Sequence, residues 1–129
     1  MKTREELDSL SAQILDSAIK VHRAMGPGLL EAVYHHCMLA ELRSRDLQVD
    51  TAVPVPLFYD GMPLDKEYII DLLIDEEIIL ELKSVEGLLP VHEAQLISYL
   101  RLADKRLGFL INFNVPLLKN GFRRFVNKF

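Results

Sequence analysis

The segment from Tyr68 to Lys83 constrains the fold more than any other part of the chain. Two apolar runs of strand length, Tyr68–Ile74 and Ile78–Val85, lie on either side of the acidic turn Asp75–Glu77. Because side chains on a strand alternate between the two faces of a sheet, one face of this segment is entirely apolar. That face consists of Ile70, Leu72, Ile74, Ile78, Leu80 and Leu82. The segment therefore predicts a β-hairpin with one face in the core.

The other face of the predicted hairpin carries three charged residues, Asp71, Glu81 and Lys83, among Ile69, Leu73 and Ile79. With a three-residue loop, Asp71 lies directly opposite Glu81, and their Cβ atoms are roughly 5 Å apart. A two-residue turn would put the two carboxylates on opposite faces, so this arrangement requires the longer loop or a bulge.

Two facing carboxylates on an apolar surface repel each other and are costly to desolvate without a counter-charge. Mg²⁺ or Mn²⁺ supplies that charge and prefers hard oxygen ligands. Lys83 points the same way and can pair with a carboxylate, orient an attacking water or stabilise negative charge in a transition state. The triplet thus predicts metal-assisted phosphodiester hydrolysis. The alternative interpretation is an exposed sheet face with a cross-strand salt bridge.

The remaining elements are predicted from periodicity and from turn residues. Apolar spacing predicts helices over Glu5–Met25 and Leu29–Arg45, separated by Gly26-Pro27-Gly28, and a third over Pro90–Ala103. Further strands are predicted at Val49–Tyr59, Leu107–Phe113 and Phe122–Val126. Pro54 and Pro56 favour an edge position for the first of these strands. The order α-α-β-β-β-α-β-(β) predicts an α/β fold, in which residues 1–129 form one domain with a mixed sheet flanked by helices.

Two helices carry polar residues that could border the charged triplet. His92, Gln95 and Tyr99 are spaced to lie on one side of the third helix, where they could bind phosphate or hold metal-bound waters. The alternative is an ordinary solvated helix face. Glu31 and Tyr34 share a face near the start of the second helix, where an acidic residue is also favourable on dipole grounds alone.

Composition limits the classes of protein to consider. The single cysteine, Cys37, excludes an internal disulfide, and no apolar run approaches the roughly 20 residues that span a bilayer, so we expect a cytoplasmic protein without a membrane partner. The net charge is −4, yet residues 101–129 carry Asp104 as their only acidic residue and a surplus of Lys and Arg. This basic end suits contact with phosphate, although a solvated surface is the simpler interpretation.

The residues Gly28, Glu31 and Tyr34 match the signature of the GxxExxY protein family, a branch of the PD-(D/E)xK nuclease superfamily. The chain resembles this family from roughly Ile14 to Val126, including the segments Ala18–Gly28 and Leu110–Phe113. The resemblance implies a restriction-endonuclease-like fold.

The resemblance also implies roles for individual residues. Asp71 resembles the aspartate of the superfamily motif, with Ile70 in place of the proline, and Glu81 and Lys83 resemble its (D/E)xK pair. The backbone carbonyl of Leu82 and the carboxylate of Glu31 would be further metal ligands. Gln95 and Tyr99 are similar to the QxxxY element of RecB-like members, which is thought to contact DNA.

These observations give a leading hypothesis and two alternatives. The leading hypothesis is a nuclease that uses Mg²⁺ or Mn²⁺ and acts on DNA rather than RNA. In a chain of 129 residues, sequence specificity would require a homodimer or a protein partner. The first alternative is a catalytically silent binding or interaction module whose carboxylates are neutralised by Lys83. The second is hydrolysis of another phosphodiester.

Overall fold

The computed structural model describes residues 1–129 and contains three α-helices and five strands. In chain order these are α1 (Arg4–Met25), α2 (Glu31–Ser44), β1 (Val49–Tyr59), β2 (Met62–Ile74), β3 (Ile78–Lys83), α3 (Pro90–Leu102), β4 (Leu107–Asn112) and β5 (Phe122–Val126), with a short 3₁₀ helix at Leu118–Asn120. None of the helices combines the length and the apolar character needed to cross a membrane.

The five strands form one mixed sheet in the order β1-β2-β3-β4-β5. Only β3 and β4 run parallel, because α3 connects them as a crossover; the other neighbours are antiparallel. The larger core cluster joins α1 and α2 to one face, and a smaller cluster built around Leu96, Tyr99 and Leu100 joins α3 to the other. The predicted class, a restriction-endonuclease-like mixed sheet flanked by helices, is confirmed.

Strand β1 lies at the edge of the sheet, as its two prolines predict. Neither Pro54 nor Pro56 can donate a backbone hydrogen bond, and an edge strand has one side on which no donor is needed.

The predicted assignment of Ile70 to the same core face as Leu72 is wrong. Ile70 packs in the cluster under α3, whereas Leu72 packs under α1 and α2. Ile70 pairs with Val53 of β1, and Leu72 pairs with Thr51. Between these two pairs, Asp71 and Ala52 do not pair. Ala52 has φ 51°, a left-handed conformation that interrupts the alternation of faces. The sheet is therefore irregular at Asp71 itself.

Three strand boundaries differ from the sequence prediction, one of them only by a single residue, because β4 ends at Asn112 instead of Phe113. Strand β2 starts at Met62 instead of Tyr68, and β3 ends at Lys83 instead of Val85. The added residues of β2 include Pro63 and the charged run Asp65–Glu67, which are poor strand formers on their own, but pairing with β1 across the Asp60-Gly61 turn recruits them. The result is an exposed two-stranded extension beyond Asp71.

We predict that Gly121→Ala destabilises the protein by about 1–3 kcal/mol, the usual cost of forcing an extra methyl group into a packed site. A Cβ atom built on Gly121 would meet the Asn112 carbonyl oxygen, a backbone atom that cannot move aside easily. Gly87→Ala is the matched control, since nothing lies within 4 Å of a Cβ at that position. Chemical denaturation measures both variants, and equal stability of the two would contradict the packing described here.

Candidate active site

The site lies where the β2–β3 ladder stops. The last pair of this ladder is Leu72–Leu80, one position before Asp71 and Glu81. Beyond it, each carboxylate reaches the backbone of the other strand: the Asp71 N–H donates to Glu81 Oε2 at 2.8 Å, and the Leu82 N–H donates to Asp71 Oδ2 at 2.9 Å. Two side chains thus replace the ladder and hold the carboxylates side by side.

A three-residue loop sets this register, because Ile74 pairs directly with Ile78. Asp75 and Glu76 adopt left-handed φ values of 50° and 60° to close the loop. Asp75 is tied to the start of β1, since its N–H donates to Gln48 O and its Oδ1 accepts from Gln48 N. The loop length on which the sequence prediction depended is therefore present, and the loop is anchored.

Glu81 is a buried carboxyl group that is only 6% exposed. Burial raises the pKa of Glu81 to about 8, and repulsion by Asp71 and, more weakly, by Glu31 adds to the effect. Lys83, which is half-buried, opposes the shift but forms no ion pair with any carboxylate. No ion pair therefore offsets the cost of ionising Glu81 beside Asp71.

Glu31 is the first residue of α2, and its negative charge adds weakly to the raised pKa of Glu81. The turn before it contains Gly26 and Gly28, with φ values of 69° and 94° that favour glycine. Tyr34, one turn into α2, is fully buried, and its hydroxyl donates to Gly26 O at 2.5 Å. Gly28 and Tyr34 therefore shape the turn that precedes Glu31, the third residue of the motif.

Helix α3 brings one of its three predicted site residues to the carboxylates. Tyr99 is 7% exposed and packs against Tyr68 with ring centroids 4.9 Å apart. Its pKa is raised first by burial and then by the charges of Glu81 and Asp71, so its hydroxyl stays protonated at neutral pH. His92 lies at the start of the helix, where its Nδ1 accepts from Leu89 N at 3.0 Å, and Gln95 is exposed.

A divalent cation suits the chemistry of this pair. Asp71 Oδ1 and Glu81 Oε1 have no hydrogen-bond partner in the protein. Because no buried side-chain oxygen lacks a partner, both atoms must contact solvent. Two solvent-accessible carboxyl oxygens side by side are hard ligands of the kind that Mg²⁺ and Mn²⁺ prefer, with water in the remaining positions. No group of three or more acidic, His or Cys side chains is arranged to hold a metal, so Glu31 does not complete a ready-made three-residue site.

The basic C-terminal residues are only partly available. Arg123 pairs with Glu93 at 2.5 Å, and Arg106 with Glu77 at 3.5 Å. Five others form no ion pair: Arg101, Lys105, Lys119, Arg124 and Lys128. Positive charge that the protein does not itself neutralise therefore remains in this part of the chain.

Sequence reasoning missed two residues beside the site. Ser84 follows Lys83, and its Oγ donates to Leu29 O at 2.5 Å. Asn112, which is 2% exposed, bonds with its side chain to both backbone groups of Val85. Asn112 had a detectable signal, because a polar residue inside the apolar run Leu107–Phe113 must be hydrogen-bonded when buried.

Comparison with known proteins assigns the class of this domain. The family model of the PD-(D/E)XK nuclease superfamily matches residues 8–125, and the chain belongs to this superfamily. No curated protein and no solved structure matched the chain. Membership suggests nuclease activity and implies a nucleic-acid substrate, and nucleases of this superfamily generally use divalent metal ions.

Proposed function

We propose that this protein is a metal-dependent nuclease that hydrolyses DNA phosphodiester bonds. Asp71 and Glu81 would bind Mg²⁺ or Mn²⁺, with the Leu82 carbonyl as a further ligand and Glu31 acting on the metal's waters. The bound cation would supply Lewis-acid stabilisation of phosphate charge. Lys83 would orient the attacking water, and Tyr99, Gln95 and His92 would contact the substrate.

The burial of the Glu81 carboxyl group beside the Asp71 carboxylate carries this proposal. A carboxyl group that is 6% exposed and lies beside a second carboxylate costs free energy in its ionised form. A purely structural sheet would gain stability from an apolar or amide residue here. The cost is offset if a divalent cation binds the ionised pair.

The competing hypothesis is a silent binding module whose carboxylates are neutralised by Lys83. That neutralisation requires an ion pair, and Lys83 forms none. The half-buried ammonium group remains available for a phosphate oxygen or a water molecule. We therefore favour turnover over a silent module.

The proposal also covers the branch of the superfamily, the contacts with the DNA backbone and the source of sequence specificity. The turn built by Gly28 and Tyr34 around Glu31 supports the GxxExxY branch, and the position of Tyr99 beside the carboxylates supports a RecB-like QxxxY element with Gln95. The unpaired basic residues of the C-terminal region would contact the DNA backbone. Sequence specificity would come from a homodimer or a protein partner.

Thermal denaturation with and without Mn²⁺ tests the metal site. A ligand that binds the folded state stabilises it by about 2.7 kcal/mol at a hundred times its dissociation constant, so we expect the melting temperature to rise with Mn²⁺ and with Mg²⁺. Asp71→Asn should abolish the rise, because it removes one of the two carboxylates.

Asp65→Asn is the matched control, because Asp65 is an exposed aspartate on the same strand outside the site. It should respond to Mn²⁺ as the wild type does. A wild-type protein that shows no rise, or an Asp71→Asn variant that keeps it, would remove the support for a metal site.

A further inference from the structure

The residue after Lys83 is bonded directly to the turn before Glu31. Ser84 Oγ donates to Leu29 O at 2.5 Å, and Leu29 N donates to the Tyr34 hydroxyl at 3.1 Å. Leu29 is thus held on both sides, by the end of β3 and by the first turn of α2. This matters because α2 starts after Leu30, which provides no side-chain cap for the helix.

A second route connects the same two segments through the core. The Tyr34 ring stacks on Phe113 with centroids 4.6 Å apart and planes 4° apart. Phe113 N donates to Lys83 O at 3.0 Å, which extends the β3–β4 connection one residue past the end of β4. Tyr34 therefore connects to Lys83 indirectly, through Phe113, and contacts the Glu31 turn directly through its hydroxyl.

Asn112 fixes the chain two residues beyond Lys83. Its Nδ2 donates to Val85 O at 2.9 Å, and its Oδ1 accepts from Val85 N at 3.1 Å, so one side chain replaces a strand partner. Because Asn112 is buried, leaving these groups unpaired would be costly. Lys83, Ser84 and Val85 are thus each bonded to a different neighbour.

We propose that Tyr34, Ser84 and Asn112 are positioning residues that hold Glu31 and Lys83 in fixed register on either side of the Asp71–Glu81 pair. The inference rests on the proposed nuclease function. Glu31 starts a helix and Lys83 ends a strand, and such end positions fray unless they are bonded to neighbours. The three residues supply those bonds without touching the reacting atoms.

Ser84→Ala tests this role, because it removes one hydroxyl and leaves the core intact. We expect a loss of about tenfold in DNA cleavage and in Mn²⁺ affinity, the lower end of the range for residues that orient metal ligands. The melting temperature should change little. Ser84→Thr, which keeps the hydroxyl, should restore activity. Ser44→Ala, which removes a similar hydroxyl-to-carbonyl bond at the far end of α2, should have no effect on activity.

A double-mutant cycle separates positioning from general stability. If Ser84 acts through Glu31, adding Ser84→Ala to Glu31→Gln should cost little further activity, because the group being positioned is already lost. A full additional tenfold loss in the double variant would overturn the coupling to Glu31. Wild-type activity in Ser84→Ala would overturn the whole proposal.

Amide hydrogen exchange in the metal-free protein gives a readout independent of catalysis. Ser84→Ala and Tyr34→Phe should each speed exchange over residues 29–31, since both remove bonds to Leu29. If the wild type neither binds Mn²⁺ nor cleaves DNA, the proposed nuclease function fails, and the exchange data still decide whether these residues fix the turn. Unchanged exchange in both variants would overturn the inference.

Discussion

Lys83→Ala is expected to lower DNA cleavage by about 10²–10³-fold, the typical cost of removing one group that stabilises developing charge in a water-poor site. Lys83 is half-buried beside the carboxylate pair and forms no ion pair of its own. Its ammonium group is therefore available to the reaction. Single-turnover cleavage of labelled DNA with Mn²⁺ measures the effect.

The same variant should keep its rise in melting temperature with Mn²⁺, because Asp71 and Glu81 are unchanged. Lys66→Ala is the matched control, since Lys66 is an exposed lysine on β2 that also forms no ion pair. Cleavage by Lys83→Ala at the rate of Lys66→Ala would exclude Lys83 from the chemistry.

Glu81→Gln is expected to stabilise the metal-free protein at pH 8 by about 1–4 kcal/mol, the range seen when buried ion pairs are replaced by well-packed apolar residues, because the amide has no charge to desolvate. The pKa of Glu81 is raised from 4.5 to about 8 in the folded state, mainly by burial and then by Asp71. Between these values the folded state holds one more proton than the unfolded state, so stability falls as pH rises through this window. Chemical denaturation from pH 4 to 9 measures the free energy of unfolding across this window.

Glu81→Gln should remove most of that decline, so the variant and the wild type converge near pH 4 and differ most at pH 8. The amide can still accept from the Asp71 N–H, the bond that Glu81 makes. Glu67→Gln, at an exposed position of β2, is the control and should follow the wild type. A wild-type protein at least as stable at pH 8 as at pH 5, with no gain from Glu81→Gln, would contradict the assigned pKa.

The sheet and the facing of Asp71 and Glu81 could be predicted because they depend on local pattern. Two apolar runs around a three-residue acidic loop determine the register, and the prolines of β1 determine its edge position. The side on which Ile70 lies could not be predicted in this way. The change of face coincides with the unpaired position of Asp71 and Ala52, and alanine gives no sequence signal for the left-handed φ that Ala52 adopts there.

The residues that support the site were harder to predict because their partners are distant in the chain. Ser84 bonds to Leu29, 55 positions away, and Asn112 bonds to Val85, 27 positions away. Helical spacing grouped Tyr99 with His92 and Gln95, but spacing alone could not indicate that Tyr99 would be buried while Gln95 is exposed. The packing of α3 against the sheet determines which of its residues are buried, and Tyr99 is one of them.

The most direct test of the central claim is cleavage of labelled single- and double-stranded DNA by wild type and by Asp71→Asn, with Mn²⁺ or Mg²⁺ and with a chelator. We expect cleavage by the wild type only with metal and none by Asp71→Asn, which keeps the size of the side chain but loses its charge. Asp65→Asn should cleave as the wild type does. Absence of cleavage by the wild type under every metal condition, or equal cleavage by Asp71→Asn, would contradict a metal-dependent nuclease at this site.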